Sequence, residues 1–595
     1  MFEGYYIVIS HIRSDARLTE ISWLDWGQEA FDKARSTGKP ILLDIFGSWC
    51  HWCHVMDKTS YSDPVVVSAV NKSFIPIRVD TDKRPDVNRR YNLGGWPTTA
   101  FLDADGRIIT GGTYIPPEQM RGVLRSVLDF YKSNKSSLRS KLQPPRVPSP
   151  ASEPLSEKVT RDIATTIAVN FDIDYGGFGF EPKFAHPEAL DYGLLRSRYH
   201  NEKEMLTIVA KTLDRMGKGG IYDQVEQGFF RYSTTRDWSI PHFEKMAEDN
   251  AKLLAVYLHA FQLTGNIFYK SKAEGIVNYV RAKLSDSEQG GFYGSQDADE
   301  EYYKLDSTER KKLKAPDVDK TFYTNYNGLM ISSFLQAATV LGDDESAKFA
   351  LKSLDRILAL GKQNSQPFHF WKDELPPQLY GFLTDYSSLL NSLLDAYEYS
   401  GKRRYLEQAV KIADDCIERL SDKQNGGFYD IPTSDSNLGE LKTRDKPIDE
   451  NSTMALGLLR LSWIIGRDIY ARIAAKTLQL YNQEYERYGL AAAAYALAVD
   501  SYLNGPVGIT IVANPKSKDF LALKRKALNA YPSRRYVTYL NPATDSEKIA
   551  SLGYKAESVP SAYICVGKTC GPPVHDPSQF DSSLASLLEA KPIVQ

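Results

Sequence analysis

ILLDIFGSWCHWCHVM, residues 41–56, runs an apolar segment of strand length into two cysteines three apart, at a point where a helix can begin. ILLDIF (Ile41–Phe46) has the size of a strand buried on both faces. If HVMDKTSYS after Cys53 opens a helix, Cys50 lies at its N-terminus. There the unpaired backbone N–H groups and the helix dipole stabilise a thiolate, and Cys53 is placed to close a disulfide. Outward from this stretch, ISWLDWGQEAFDKARSTG has helical spacing, while FIPIRVD (Phe74–Asp80) and TTAFLDADG (Thr98–Gly106) read as further strands. The alternation predicts an α/β domain over residues 1–134. A Ser-, Lys- and Pro-rich stretch without apolar period then reads as a linker over 135–154.

Composition excludes several classes. The 595 residues are 42% hydrophobic and 25% charged, as in globular proteins, and the net charge of −2 gives no pull towards nucleic acid or an anionic membrane. The longest apolar run, GLAAAAYALAV (Gly489–Val499), falls short of the ~18 residues a membrane helix needs. MFEGYYIVISHIRSD lacks a basic region and a small-residue cleavage site, so no secretory signal is read. Five cysteines argue against a disulfide scaffold and for a reducing, cytoplasmic setting. Cys416 is expected to be a buried apolar residue, and Cys565 and Cys570 free thiols.

From 155 to 503 helix follows helix, twelve in all, with starts near Leu155, Pro187, Met205, Glu244, Ile267, Asn327, Asp344, Leu383, Lys402, Asp449, Arg467 and Tyr488. Gly265, Gly342, Gly401 and Gly466 each read as a helix stop followed at once by another helix. Four residues after these glycines come Tyr269, Ser346, Tyr405 and Tyr470, and eight after come Ala273, Ala350, Ala409 and Ala474, an internal repeat. The remaining connections are long, about 171–186, 217–243, 285–324, 362–381 and 421–447. Six hairpins with short turns at one end and long loops at the other close into a double-ringed (α/α)6 toroid with every long loop on one rim. Residues 504–595 return to α/β texture. VGITIVA, RYVTYL and SAYICVG read as strands, with the helix SKDFLALKRKALNAY after the first.

The rim loops gather aromatic rings, carboxylates and an imidazole, the groups that stack on sugar faces, bond hydroxyls and move protons. In Gly219–Asn250 these are Tyr222, Asp223, Phe229, Arg231, Tyr232, Trp238, His242 and Glu244. Other loops add Tyr293, Asp297 and Asn327, and Gly-Gly-aromatic turns recur. His242 is the best-suited base, with Asp223, Glu244 or Asp297 as the second acid/base group. The bland alternative is that FFRYS is a hairpin strand and His242 a helix cap.

Two resemblances follow from these motifs. Asp44, six residues before Cys50, the pair Cys50/Cys53 and the loop Gly95-Trp96-Pro97-Thr98 resemble thioredoxins. That likeness implies a buried carboxylate that helps move a proton and a cis proline opposite the cysteines. His-Trp between the cysteines departs from the thioredoxin Gly-Pro and favours the reduced form. C-x-x-C-H also spells a haem attachment signature and zinc is a rival ligand, but neither a distal haem ligand nor a second zinc pair is evident. A thioredoxin fold that has lost its chemistry remains open. Over residues ~18–580 the motifs WCHWCHVM, GGWPTTAFLDADG, GGFGFEPKF, GGIYDQV, PHFEKM, GGFYGSQDADE and AYICVGKTC resemble the thioredoxin-domain proteins of the spermatogenesis-associated protein 20 type. The likeness implies a multidomain α+β chain: a thioredoxin-like α/β domain, an (α/α)6 toroid similar to N-acylglucosamine 2-epimerases and six-hairpin glycosidases, and a small C-terminal α/β module. EDNAK after PHFEKM and DENST at 449–453 depart from that pattern.

Three functions compete. The cysteines support thiol–disulfide exchange with a client protein or a thioredoxin-type reductant. The rim supports an epimerase, isomerase or glycosidase acting on a small sugar or sugar derivative. The third is a binding or scaffold protein. No cofactor, metal, nucleic acid or membrane partner is called for.

Overall fold

The computed structural model describes residues 20–134, 153–372, 375–434, 436–555 and 559–589. The stretch read as free of a signal and nearly all of the expected linker lie outside these residues. Contacts divide the described residues into two compact units: those up to 134 together with 436–443, and all the others. The C-terminal module therefore shares a unit with the toroid.

The first unit is built on a four-stranded sheet in the order Ile75–Asp80, Ile41–Phe46, Thr98–Leu102, Ile108–Gly112, with the first pair parallel and the others antiparallel. Ile41–Phe46 is central and buried, which is why it reads as an unbroken apolar run. Leu42 and Phe101 pack with Met56, Val66, Val70, Met120 and Leu124 from the helices His51–Lys58, Pro64–Ser73 and Pro117–Asn134, and with Phe74 just after the second of these. The strand Ile108–Gly112 was not foreseen. Its sequence, IITGG, looks like a turn, yet Gly111 is required there because a Cβ would come within 2.5 Å of the Thr99 carbonyl oxygen and 2.4 Å of Leu93. Residues 436–443, although they interrupt the helical region in sequence, belong to this unit. The Tyr91 hydroxyl donates to the Gly106 carbonyl at 2.7 Å and accepts from the Glu440 N–H at 2.8 Å.

In the second unit six inner helices pack each on the next and the last on the first: Pro187–His200, Ala247–Thr264, Thr324–Leu341, Leu383–Ser400, Ile448–Ile465 and Ala493–Asn504. Six outer helices pair with them: Glu157–Val169, Lys203–Lys218, Ile267–Lys283, Asp344–Leu360, Arg403–Arg419 and Asp468–Gln479. This is the expected toroid. Gly265, Gly342, Gly401 and Gly466 stop their helices in the left-handed conformation, at φ 69°, 73°, 72° and 71°. A fifth turn uses Asn201 at φ 58°, which a search for glycine passes over. The repeated residues four and eight after the glycines, Tyr269 to Tyr470 and Ala273 to Ala474, are all buried. The repeat is therefore the packing face of the outer helices. The last helix starts at Ala493 rather than near Tyr488, because Gly489, at φ 52° and ψ −127°, breaks the run before it.

The C-terminal sheet has the order Arg535–Leu540, Val507–Val512, Ser561–Val566, Thr569–Cys570, with the first pair parallel and the rest antiparallel. It meets the ends of the inner helices that carry the short turns. Arg534 lies 4.0 Å over the Tyr199 ring, and the Gln262 amide donates to the Asn529 carbonyl at 2.9 Å. Among the described residues no helix is long and apolar enough to cross a membrane.

Candidate active sites

The sheet of the first unit delivers Cys50 to the N-cap of His51–Lys58, where the Cys53 N–H donates to Cys50 Sγ at 3.2 Å. Both cysteines are buried and bonded to each other, with Cα atoms 5.3 Å apart. The Trp96–Pro97 peptide is cis, and the Trp96 ring meets that of Trp49 edge-on at 5.5 Å. Trp52, between the cysteines, is 48% exposed and leans on Tyr114 at 5.2 Å. Asp44 is fully buried on the central strand. Burial pushes its carboxyl up to about 7, against the pull of Arg78, whose Nε lies 3.0 Å away. The Tyr61 hydroxyl also donates to Asp44 at 3.2 Å, and Arg78 forks onto Asp57 at 2.8 and 2.7 Å. A carboxyl held in this way changes protonation near neutral pH.

The Gly-aromatic loops at the rim share one construction. Phe171, Tyr222, Ser285 and Ser421 each bridge the Phe seven residues on, and the following Asp172, Asp223, Asp286 and Asp422 accept backbone N–H groups of the turn. Asn250, Asn327 and Asn451, from the first turns of three inner helices, accept the N–H of Phe229, Phe292 and Phe428 at 2.7–2.8 Å and donate back to the same residues. Fully buried lysines complete three loops, Lys183 with Asp172, Lys245 with Asp223 and Lys446 with Asp422, at 2.7–2.8 Å. In the fourth, Arg356 meets Asp286 at 2.9 Å. Burial pushes Lys245 down to about 8, with Asp223 opposing.

Chemistry-bearing groups gather on two neighbouring inner-helix starts. His242 Nδ1 bonds the buried Glu244, and Arg231 stands 3.7 Å from Glu244. The His242 ring stacks on Tyr232 at 5.1 Å, and Tyr232 stacks on Phe184 at 4.8 Å, an aromatic ladder built by the short sheet of Lys183–Phe184, Tyr232–Ser233 and Pro241–His242. Burial pushes Asp249 up to about 7, Arg231 opposing. Next to it Lys252 binds Glu188 at 2.8 Å and Glu248 at 2.7 Å. A second imidazole–carboxylate pair, His369 with Asp385 at 2.9 Å, is buried between the strand Phe368–Trp371 and the helix Leu383–Ser400. A separate cavity of about 240 Å³ lies at the opposite ends of the inner helices, closed by residues 528–535, with Asp191 and His259 paired at 2.6 Å in its wall. Among the described residues no three His, Cys, Asp or Glu gather as a metal would require.

The chain is similar to spermatogenesis-associated protein 20. It is 28% identical to the human protein across 94% of this chain and 89% of that one. A thioredoxin-like family model, Thioredox_DsbH, described as a protein of unknown function (DUF255), matches residues 10–144. The thiol:disulfide interchange protein DsbD of Cronobacter sakazakii is 34% identical over 82 residues, 13% of this chain and 14% of that protein. Among solved structures, the cellobiose 2-epimerase of Bacillus thermoamylovorans superposes with a TM-score of 0.45 at 11% identity, covering 56% of this chain and 88% of that one. The chain thus carries a thioredoxin-like domain, part of which is similar to DsbD, together with the (α/α)6 toroid described above.

Placement sorts the residues singled out in the sequence. Cys50, Cys53, Asp44 and Pro97, singled out by the thioredoxin likeness, belong to one unit. His242, Glu244, Arg231 and Tyr232 meet at the rim. Asp223 does not: it is enclosed by Lys245 and Arg310, which hold its carboxyl low although burial alone would raise it. Asn327 pins a loop, Phe229 and Trp238 are fully buried, and Tyr222 packs on Phe229 at 4.9 Å. Tyr293 is half-buried beside Phe322, and the Asp297 carboxylate accepts the N–H of Ala298 in its own turn. The thiols expected at 565 and 570 are instead bonded to each other. Asp249, Glu188 and the His369–Asp385 pair were missed. Asp249 lies in EDNAK, the segment marked as departing from the family pattern, and that departure was the available signal.

Proposed function

We propose that the first unit exchanges thiols and disulfides with a client polypeptide. The Cys50 thiolate attacks a client disulfide and releases the leaving sulfur. Cys53 then gives up its proton and attacks Cys50, closing Cys50–Cys53 and freeing the reduced client. Asp44 receives that proton, and one observation carries the reading: a buried carboxyl brought to about 7 on the strand that leads into the cysteine pair. The exposed Trp52 offers an apolar contact to the client. The test is reduction of insulin disulfides, expected with the wild type and absent in Cys50→Ser. A reduced protein whose Cys50 resists every alkylating agent would overturn it. This role fits the cytoplasm, where a reducing pool regenerates the dithiol, and cell fractionation checks that placement.

A second reading is favoured by the Phe184–Tyr232–His242 ladder beside Glu244 and Asp249. We infer a small sugar or sugar derivative stacked on the ladder, His242 acting as base next to the sugar carbonyl and Asp249 as the second proton-carrying group. An assay for 2-epimerisation of glucosamine- or mannose-type sugars tests it. Equal activity in His242→Ala removes His242 from the role. Inactivity in both assays leaves a binding or scaffold protein.

A further inference from the structure

The two four-stranded sheets among the described residues have the same strand order and the same directions. In each, the first strand is central, parallel to the second and antiparallel to the third, with a fourth strand at the edge. Each first strand runs into a helix whose N-cap side chain accepts from the N–H three residues on: Cys50 from Cys53 in one, Ser517 from Phe520 in the other. Pro97 precedes the third strand of one and Pro560 that of the other. The C-terminal sheet therefore keeps the frame of the N-terminal one with serine and phenylalanine at the cysteine positions.

Its own cysteines lie elsewhere. Cys565 and Cys570 are direct cross-strand partners in the hairpin formed by Ser561–Val566 and Thr569–Cys570, with Cα atoms 4.0 Å apart and a bond between them. The turn is Gly567, at φ 60°, and the exposed Lys568. Cys570 is exposed on the edge strand, whereas Cys50, Cys53 and Cys416 are buried. A disulfide stabilises mainly by closing a long loop in the unfolded chain, and this one spans a sequence separation of only 5 that the hairpin already closes. It adds little constraint, and one of its two cysteines, Cys570, is exposed.

We propose that Cys565–Cys570 is a second thiol–disulfide exchange site whose co-substrate is a dithiol. One thiolate of the dithiol attacks Cys570 Sγ. The Cys565–Cys570 bond breaks, a mixed disulfide forms on Cys570, and Cys565 leaves as a thiolate that takes up a proton. The second thiol of the dithiol then attacks its partner sulfur in the mixed disulfide, releasing Cys570 and closing the oxidised dithiol. Two electrons pass from the dithiol to the cysteine pair. The dithiol is either a small molecule or the reduced Cys50/Cys53 pair of another copy, and only the latter source rests on the function proposed above.

The test counts alkylated thiols by mass spectrometry in native, full-length Cys50→Ser/Cys53→Ser protein, before and after dithiothreitol. Peptide mapping of the wild type serves in its place if that variant does not fold. Two thiols, at Cys565 and Cys570, are expected to appear within minutes with the far-ultraviolet circular dichroism unchanged. The proposal fails if they appear only in denaturant, or if both are alkylated before any reductant is added. In a second arm, reduced Cys565→Ser/Cys570→Ser protein is mixed with the oxidised Cys50→Ser/Cys53→Ser protein. Transfer assigns another copy as the source, and no transfer alongside reduction by dithiothreitol assigns a small dithiol. A protein inert towards insulin that still passes the first arm loses the Cys50/Cys53 reading while the second site stands.

Discussion

The N-terminal and C-terminal sheets differ most at one register position. In the first, Asp44 stands opposite Arg78 on the parallel neighbour; in the second, Thr510 stands opposite Thr538, and their hydroxyls bond at 3.1 Å. A buried carboxylate is costly and is kept where an arginine partly offsets it and a proton has to move. A hydroxyl pair fills the same place at little cost and carries no titratable proton near neutrality. The same frame thus holds a cysteine pair at its helix cap only where the strand also holds the acid. Where the acid is absent, the cysteine pair joins the third strand to the edge strand, with Cys570 exposed and in no need of an internal proton acceptor.

The comparison can be broken in several ways, the largest effect first. Cys50→Ser should remove insulin reduction altogether, and Ser517→Cys should restore none of it. Residual activity in Cys50→Ser would mean the edge disulfide does the work assigned to the cap. Thr510→Asp puts a carboxyl into the second sheet without an arginine. It should destabilise by ~4–6 kcal/mol at pH 8 and by less towards pH 5, where the carboxyl takes a proton, as urea unfolding would measure.

Asp44→Asn should do the opposite. The folded-state value of about 7 is raised from the ordinary 3.8, so the wild-type carboxyl favours folding at low pH and progressively loses that advantage as pH rises towards 7. The variant should therefore be the more stable protein above pH 7, by up to about 4 kcal/mol, with the gap closing towards pH 4. The same variant should slow closure of Cys50–Cys53 most above pH 7, where the wild-type carboxylate is ionised and can accept the proton. Equal pH profiles would remove Asp44 from the proton's path. The smallest effect is Ser517→Ala, a lost helix cap that should cost ~1 kcal/mol of stability and leave insulin reduction untouched.

The toroid was legible because helix stops in the left-handed conformation are a local matter. Glycine at 265, 342, 401 and 466 adopts it freely, and the apolar faces on either side fix the hairpins. Asn201 does the same work with a side chain that many surface positions also use, so it gave no signal. The rim was legible only in part. Asp223 and His242 lie in one loop and look equally fit for catalysis, yet one is locked to Lys245 and Arg310 and the other stacks on Tyr232. Whether a rim group is locked by a buried lysine and arginine depends on chain segments far apart in sequence, 87 residues for Asp223 and Arg310. For the same reason Asp249, an ordinary helix-start acid to the eye, is pushed up only by what surrounds it.

The order of residues by itself set the cap cysteines, the acid six residues before them, the hairpin ring and the α/β texture of both ends. Each of these rests on interactions within a few residues or on a periodicity that burial imposes along one element. Tertiary structure alone decided that the two ends share one strand order, that Thr510 occupies the register of Asp44, and that Cys565 and Cys570 face each other across a hairpin. It also separated the acids that hold loops from those that stand ready to carry protons. Register, burial and ion pairing arise between different elements, tens of residues apart for Asp44 and Arg78 or Thr510 and Thr538, and no local pattern encodes them.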